Sequence, residues 1–104
     1  MMPKELIGTQ LQGYIKEASY SDLCVLLGAP QQFGTDGKTR ASWLLQDGEV
    51  VAHIYDYKAG DVPIEKNIVW HIGGRSHWAL ELTRRQVPVG VVTDREDNEI
   101  STYE

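Results

Sequence analysis

The sequence predicts an α+β fold, with a small antiparallel sheet, a central Asp-Gly hairpin and two short helices. The strongest observation is Asp47-Gly48, a two-residue turn signal between two β-patterned runs, Arg40 to Gln46 and Glu49 to Tyr57. Short segments with helix start and stop signals lie before and after this hairpin. A chain of 104 residues holds one core. We therefore expect a single α+β domain over residues 1–86 and an acidic C-terminal extension over residues 87–104.

The elements before the hairpin are a strand and a helix. Residues Leu11 to Ile15 alternate in the way that favours a short strand. Ser19 and Asp22 have the spacing of a capping box, in which each side chain accepts a hydrogen bond from the other residue's backbone. The helix is predicted over Tyr20 to Leu27, and Gly28-Ala29-Pro30 ends it.

A two-residue loop at Asp47-Gly48 fixes the register of the hairpin. The predicted pairs on one face are Leu45 with Val50, Trp43 with Ala52 and Ala41 with Ile54, and those on the other face are Leu44 with Val51, Ser42 with His53 and Arg40 with Tyr55. The first face is apolar and predicts the core. The second is amphipathic, which is typical of a solvent-exposed surface. If it is partly covered, it would instead suit a planar ligand.

The elements after the hairpin are organised around two adjacent glycines. Ile68-Val69-Trp70 predicts a brief extended run that leads into a turn at Gly73-Gly74. The second helix is predicted over His77 to Arg85. Gly90 to Thr93 can add an edge strand, and residues 94–104 are expected to be frayed and solvated.

The segment Trp70-His71-Ile72-Gly73-Gly74-Arg75-Ser76-His77 combines two imidazoles, a guanidinium, a hydroxyl and two glycines. Ser76 can cap the following helix, so the glycines would lie just upstream of a helix N-terminus. Such an end attracts anions, and Arg75 or His71 would add charge. The alternative is that Gly73-Gly74 only allows a sharp turn into the helix.

Charge and composition exclude several classes of protein. The formal net charge is -5, and residues 87–104 hold one basic residue against five acidic ones, which argues against direct binding to duplex nucleic acid. No apolar run approaches the ~20 residues that cross a bilayer, so we expect no membrane association. The N-terminus lacks an apolar signal region, and the single Cys24 cannot form an internal disulfide. These features are typical of a cytoplasmic protein.

Most catalytic chemistries find no support in the spacing of residues. The three His residues and Cys24 lack the paired spacing of a zinc site, so no metal is predicted. The glycines match neither a Walker motif nor a dinucleotide-binding motif, and no cofactor is predicted. Ser76 is better explained as a helix cap than as a nucleophile. Acid–base work by His71 with Asp56 or His77 stays open.

Several short motifs occur in a fixed order along the chain. They are Leu11-Gln12-Gly13-Tyr14-Ile15, Ser19-Tyr20-Ser21-Asp22-Leu23, Gly28-Ala29-Pro30, Lys38 through Trp43, Asp47-Gly48, Ile54-Tyr55-Asp56-Tyr57-Lys58 and Trp70-His71-Ile72-Gly73-Gly74-Arg75-Ser76. Over residues 11–82 the chain thereby resembles a family of small uncharacterised proteins encoded by tailed bacteriophages, which share a Tyr-rich strand ending in Lys and a Trp-His-Ile/Val-Gly-Gly turn. Many of these relatives have His at the position of Arg75 and a longer glycine-rich loop in place of Ala59 to Pro63. The resemblance implies a phage origin and the cytoplasm of the infected bacterial host.

A phage origin favours a role against host defence, which small acidic phage proteins without enzyme motifs often have. We expect a binding protein that sequesters a small anionic nucleotide signal without catalysis, as a homo-oligomer whose subunits jointly enclose the ligand. Aromatic faces would hold the base, and amides or cations would hold the phosphates. The expected ligand-binding residues are Tyr55, Tyr57, Lys58, His71, Gly73, Gly74, Arg75 and Ser76.

Two alternatives to this hypothesis stay open. The first is a protein antagonist of a host nucleic-acid-binding defence enzyme, in which the acidic residues after residue 86 imitate a phosphate backbone. The second is a small nucleotide-processing enzyme that uses His71.

Overall fold

The computed structural model describes residues 8–30, 41–56 and 63–100 of the protein. Five antiparallel strands form one sheet in the order β2-β3-β4-β1-β5. The strands are β1 (Gln10–Lys16), β2 (Ser42–Asp47), β3 (Val50–Tyr55), β4 (Val69–Gly74) and β5 (Val91–Asp94), and the helices are α1 (Tyr20–Leu27) and α2 (Trp78–Gln86). The predicted α+β fold is confirmed. The hairpin β2–β3 forms one side of the sheet, and β4 is its central strand.

Helix α1 begins and ends where the sequence predicts. The Ser19 hydroxyl accepts a hydrogen bond from the Asp22 N–H at 3.0 Å, and the Asp22 carboxylate accepts one from the Ser19 N–H at 3.4 Å. This is the predicted capping box, and it satisfies backbone donors that the first helical turn leaves without partners. Gly28 ends the helix with φ +88°, and its N–H donates to the Cys24 carbonyl at 2.8 Å.

The register predicted for the β2–β3 hairpin is wrong by two residues. Leu45 lies opposite Ala52, and Asp47 pairs with Val50, so the turn is Gly48-Glu49. Of these two turn residues only Gly48 has a positive φ, +62°, which fits a type II′ turn with glycine first. A shift of two residues leaves every side chain on its predicted face, because strand side chains alternate with a period of two.

Both helices pack on the same face of the sheet, where the side chains of the core meet. Trp43 and Trp70 contact each other edge to face, with ring centroids 5.5 Å apart. The Trp70 indole N–H donates to the Ala18 carbonyl at 2.8 Å, and that of Trp43 donates to the Gly28 carbonyl at 2.9 Å. These bonds fasten the two ends of α1 to the sheet. The buried core is completed by Ile15, Ala18, Leu23, Ala41, Leu45, Ala52, Ile54, Ile72, Ala79, Leu80, Leu82, Val87 and Val92.

Gly73 and Gly74 lie in the central strand β4, so the predicted turn at these residues is wrong. Gly74 pairs with Gln10 on one side and Ala52 on the other. A Cβ at Gly74 would overlap the Cβ of Ala79 and approach the Val51 carbonyl oxygen to 3.1 Å. Gly74 is therefore needed where α2 packs closely against the sheet, which is a long-range contact that a local turn rule does not consider.

The chain after α2 adds to the same sheet. Strand β5 pairs with β1, and Val87 and Val92 lie in the core, so the fold continues past residue 86, where the predicted domain boundary falls. The Asp94 carboxylate accepts hydrogen bonds from the N–H groups of Glu96 and Asn98, each at 2.9 Å. The expectation of a frayed segment is therefore wrong for residues 94–100, which form an ordered turn with exposed side chains at 95–99.

Candidate functional site

The sheet face opposite α1 and α2 carries four aromatic side chains that contact one another in a row. Tyr14 of β1 meets His71 of β4 edge to face, with ring centroids 5.3 Å apart. His71 stacks on Tyr55 of β3 at 5.3 Å, and Tyr55 stacks on His53 at 4.7 Å. The antiparallel pairing of Tyr55 with His71 and of Tyr14 with His71 brings the three strands' rings together. We call Tyr14, His53, Tyr55 and His71 the Tyr-His platform.

The platform is half-buried, and burial keeps its imidazoles neutral. Burial lowers the pKa of His53 to about 4. It also lowers the pKa of His71, although the nearby Asp56 carboxylate acts in the opposite direction. At neutral pH both rings can therefore stack and form hydrogen bonds, but they supply no positive charge. The expectation that His71 adds charge to an anion site is not supported by this environment.

Gly73 lies beside the platform, on the same sheet face. A Cβ at Gly73 would be 3.5 Å from Tyr55 Cε1 and 3.8 Å from His53 Cβ, which are ordinary contact distances. Alanine would fit there without displacing a neighbour, unlike at Gly74. A methyl group would therefore fit beside the rings, and packing within the chain does not require glycine at this buried position.

The start of α2 does not present open amides to an anion. The Trp78 N–H donates to the Ser76 hydroxyl at 3.3 Å, and the Ala79 N–H donates to the Ser76 carbonyl at 3.1 Å. The Leu80 N–H donates to the His77 carbonyl at 2.9 Å. The first three amides of the helix are therefore occupied, and an anion would have to displace these bonds. The predicted cap at Ser76 is wrong by one residue, because the helix begins at Trp78 and its N-cap is His77, which makes no side-chain capping bond.

The structure brings together only some of the predicted ligand-binding residues. Tyr55, His71 and Gly73 share one face, whereas Gly74 is directed toward α2 on the other. Arg75 and Ser76 are exposed in the turn that follows β4. The predictions for Tyr57 and Lys58 lie outside the described residues.

His53 lies on the face predicted to suit a planar ligand but was not among the expected ligand-binding residues, and the place of Tyr14 in this cluster was not predicted. His53 precedes Tyr55 by two residues, so strand periodicity alone places both on one face. Tyr14 has no such local signal, because its contact with His71, 57 positions further along the chain, depends on β1 pairing with β4. Only the topology of the sheet reveals it.

His71 and Asp56 are near enough to interact electrostatically, as the acid–base alternative requires. Asp56 itself is buried, and its Oδ1 accepts a hydrogen bond from the Ala41 N–H at 2.8 Å. The Asp56 N–H in turn donates to the Ala41 carbonyl at 3.3 Å. This reciprocal pair fixes the carboxylate at the end of the β2–β3 hairpin, which gives Asp56 a structural role whatever it does for His71.

Among the described residues, no group of three or more His, Cys, Asp or Glu side chains could hold a metal ion. No helix within residues 8–30, 41–56 and 63–100 is long and apolar enough to cross a membrane. Comparison of the chain with family models, curated proteins and solved structures finds no match. The resemblance to phage proteins therefore stays a prediction.

Proposed function

We propose that the protein is a small phage-encoded binding protein that sequesters a nucleotide signal of host defence without chemical turnover. The observation that supports this most is the Tyr-His platform, because a binding role explains why neutral rings from β1, β3 and β4 lie in contact on the face without helices. The solvated face of an antiparallel sheet is usually polar, and four rings in mutual contact give this face an aromatic surface on which a base could lie.

The base of the ligand would contact the part of the Tyr55 ring that its stacking partners His53 and His71 leave exposed. Stacking of a base on an aromatic side chain contributes about 1 to 3 kcal/mol and tolerates different bases. Neutral His53 and His71 can donate or accept hydrogen bonds at the edge of a base, because each neutral imidazole has one donor and one acceptor nitrogen. The low pKa of His53, about 4, keeps this pattern unchanged across physiological pH.

The phosphate of the ligand would meet Arg75. This residue follows Gly73 by two positions, and its side chain is exposed in the turn after β4. A guanidinium binds phosphate through two parallel hydrogen bonds. Lys58 is the second predicted cation, and it lies outside the described residues.

A second subunit would complete the enclosure of the ligand. The platform is a sheet surface rather than a deep pocket, and small-molecule sites usually bury most of the ligand. A homo-oligomer in which two such surfaces cooperate would achieve this burial with a chain of 104 residues.

The direct experiment is native mass spectrometry of the protein after incubation with a nucleotide extract. We expect a bound mass that is lost in Tyr55→Leu and kept in Thr93→Val, a nearly isosteric change on the same sheet face in β5. Heating the complex should release the nucleotide intact. A cleaved product would instead favour the enzyme that uses His71, and failure to bind any nucleotide would leave the protein antagonist as the better explanation.

The antagonist remains the second candidate because of the ordered acidic turn at residues 94–99. Hydrogen bonds from the N–H groups of Asn98 and Glu96 lower the pKa of Asp94, so this turn stays anionic well below neutral pH. Deleting residues 87–104 would remove β5 and two core valines, so deletion is a poor test. Glu96→Lys with Glu99→Lys reverses two exposed charges instead, and loss of inhibition of a nucleic-acid-binding host enzyme would support the antagonist.

A further inference from the structure

The two ends of the Tyr-His platform differ in charge. Strand β4 begins at Val69, which pairs with Lys16, and Arg75 follows its last residue in an exposed turn. Val69 and Arg75 are six positions apart, which corresponds to about 20 Å along a strand. At the Val69 end, the Lys16 ammonium forms an ion pair with the Asp97 carboxylate of the acidic turn at residues 94–99. The platform therefore has a cation at one end and an acidic turn at the other.

Lys16 and the Asp97 carboxylate that it contacts lie on the platform side of the sheet. Side chains at i and i+2 of a strand project to the same face, so Lys16 follows Tyr14 at about 7 Å along β1. Glu99 also projects to this side, because it pairs with Thr93, which in turn pairs with Tyr14. The acidic turn holds four acidic residues and one basic residue. Beside the rings it produces a negative field that Lys16 only partly offsets.

The fold of the acidic turn fixes the position of Asp97. The Asp94 carboxylate accepts hydrogen bonds from the N–H groups of Glu96 and Asn98. The Asp97 N–H donates to the Asp94 carbonyl at 3.0 Å. Oδ1 of Asp97 contacts Lys16, whereas within the described part of the chain no group donates to its Oδ2, and the side chain is 60% exposed. One carboxylate oxygen is thus held beside the platform and can accept a further hydrogen bond.

We propose that Asp97 selects the base and the direction in which the nucleotide lies on the platform. The exocyclic amine of the base donates to Asp97, while the phosphate meets Arg75. This inference rests on the proposed nucleotide-binding function and adds its specificity. An ionised carboxylate accepts hydrogen bonds but cannot donate them. A base with an amine at this edge is therefore favoured, whereas a carbonyl oxygen at the same position would be repelled by the carboxylate.

The opposite direction of the ligand is unfavourable. A phosphate near Lys16 would lie beside the carboxylates of Asp97 and Glu99, where screening by salt is weak because charges interact over ~8 Å at physiological ionic strength. A phosphate at Arg75 avoids this repulsion. Stacking on the rings tolerates different bases, so selectivity for a base has to come from polar groups beside the rings. The carboxylate of Asp97 is such a group.

Calorimetric titration with two matched pairs of nucleotides tests the proposal. AMP has an exocyclic amine where IMP has a carbonyl oxygen, and CMP and UMP differ in the same way. The wild-type protein should bind the amine-bearing member of each pair about tenfold more tightly, as expected for one hydrogen bond to a charged group. In Asp97→Asn this preference should be lost, because the side-chain amide can donate as well as accept.

Glu96→Gln is the matched control, because it removes one negative charge from the same turn and leaves the ion pair of Lys16 with Asp97 in place. This variant should keep the preference for amine-bearing bases. Equal affinities within each pair for the wild type, or a preference that Asp97→Asn keeps, would overturn this inference and leave nucleotide binding intact. If none of the four nucleotides binds the wild type, the proposed function fails and this inference fails with it.

Discussion

The two faces of the sheet differ in what their side chains contact, and β4 contributes residues to both. On the face with the helices, β4 directs Trp70, Ile72 and Gly74 into a closed core. On the opposite face, the same strand contributes His71 and Gly73 to a half-buried surface of rings. The adjacent glycines consequently have different roles, since Gly74 admits α2 and Gly73 leaves room beside Tyr55. Successive residues of a strand face opposite sides of the sheet, so adjacent residues of β4 make different contacts.

The largest difference between the faces should be seen on truncating their aromatic side chains. Trp70→Ala removes a fully buried indole and its hydrogen bond to the Ala18 carbonyl, so the free energy of unfolding should fall by about 3 to 5 kcal/mol. Tyr55→Ala on the other face should cost much less. Urea denaturation of both variants makes this comparison, and equal losses would show that the platform is part of the core.

The pH dependence of stability should come from the platform face. His53 has a pKa of about 4 in the folded protein and an ordinary value of 6.5 when unfolded, so the unfolded state binds more protons between these values. Stability should therefore be fully present above pH 6.5 and fall as the pH drops toward 4, with a loss of about 2 kcal/mol between pH 7 and pH 5. His53→Gln should reduce this loss, whereas the exposed His77→Gln should keep it. An unchanged pH dependence in His53→Gln would show that His53 is not held neutral by burial.

The two glycines offer the sharpest comparison, because the same added methyl group enters opposite faces. Gly74→Ala should lower the free energy of unfolding by about 1 to 3 kcal/mol, since the new Cβ overlaps Ala79. Gly73→Ala should change stability by less than about 1 kcal/mol, because the contacts there are of ordinary length. Thermal melts of both variants, with nucleotide binding measured in parallel, separate the roles. We expect Gly73→Ala to weaken binding in a folded protein.

Among these variants, Tyr55→Leu should have the smallest effect on stability and the largest effect on nucleotide binding. Tyr55→Leu keeps an apolar group on a half-buried site, so its melting temperature should stay near that of the wild type. Loss of the stacking surface should nevertheless weaken nucleotide binding by about 1 to 3 kcal/mol in calorimetric titration. Binding that survives Tyr55→Leu unchanged would place the ligand elsewhere.

The sequence predicts those features that depend on neighbouring residues. The capping box of Ser19 and Asp22 is local and sets the start of α1, and Gly28 sets its end. The alternation of side chains predicts which residues of β2 and β3 share a face, and this prediction holds although the predicted register is wrong. Local rules predict a turn at Gly73-Gly74, whereas the structural reason for Gly74 lies in α2, where Ala79 packs against it. Only part of the Tyr-His platform can be predicted from the sequence, because its rings belong to three strands whose order no local pattern encodes.

The indole hydrogen bonds of Trp43 and Trp70 hold the two ends of α1 against the sheet. Eight residues are too few for a helix to persist alone in water, so α1 exists only while the sheet holds it. Both hydrogen bonds are donated by indole N–H groups, whose signals in a heteronuclear NMR spectrum are separate from those of the backbone amides. Their exchange with solvent reports whether α1 opens before the rest of the protein or together with it. Hydrogen exchange at these two indole groups therefore measures the order in which α1 and the sheet unfold.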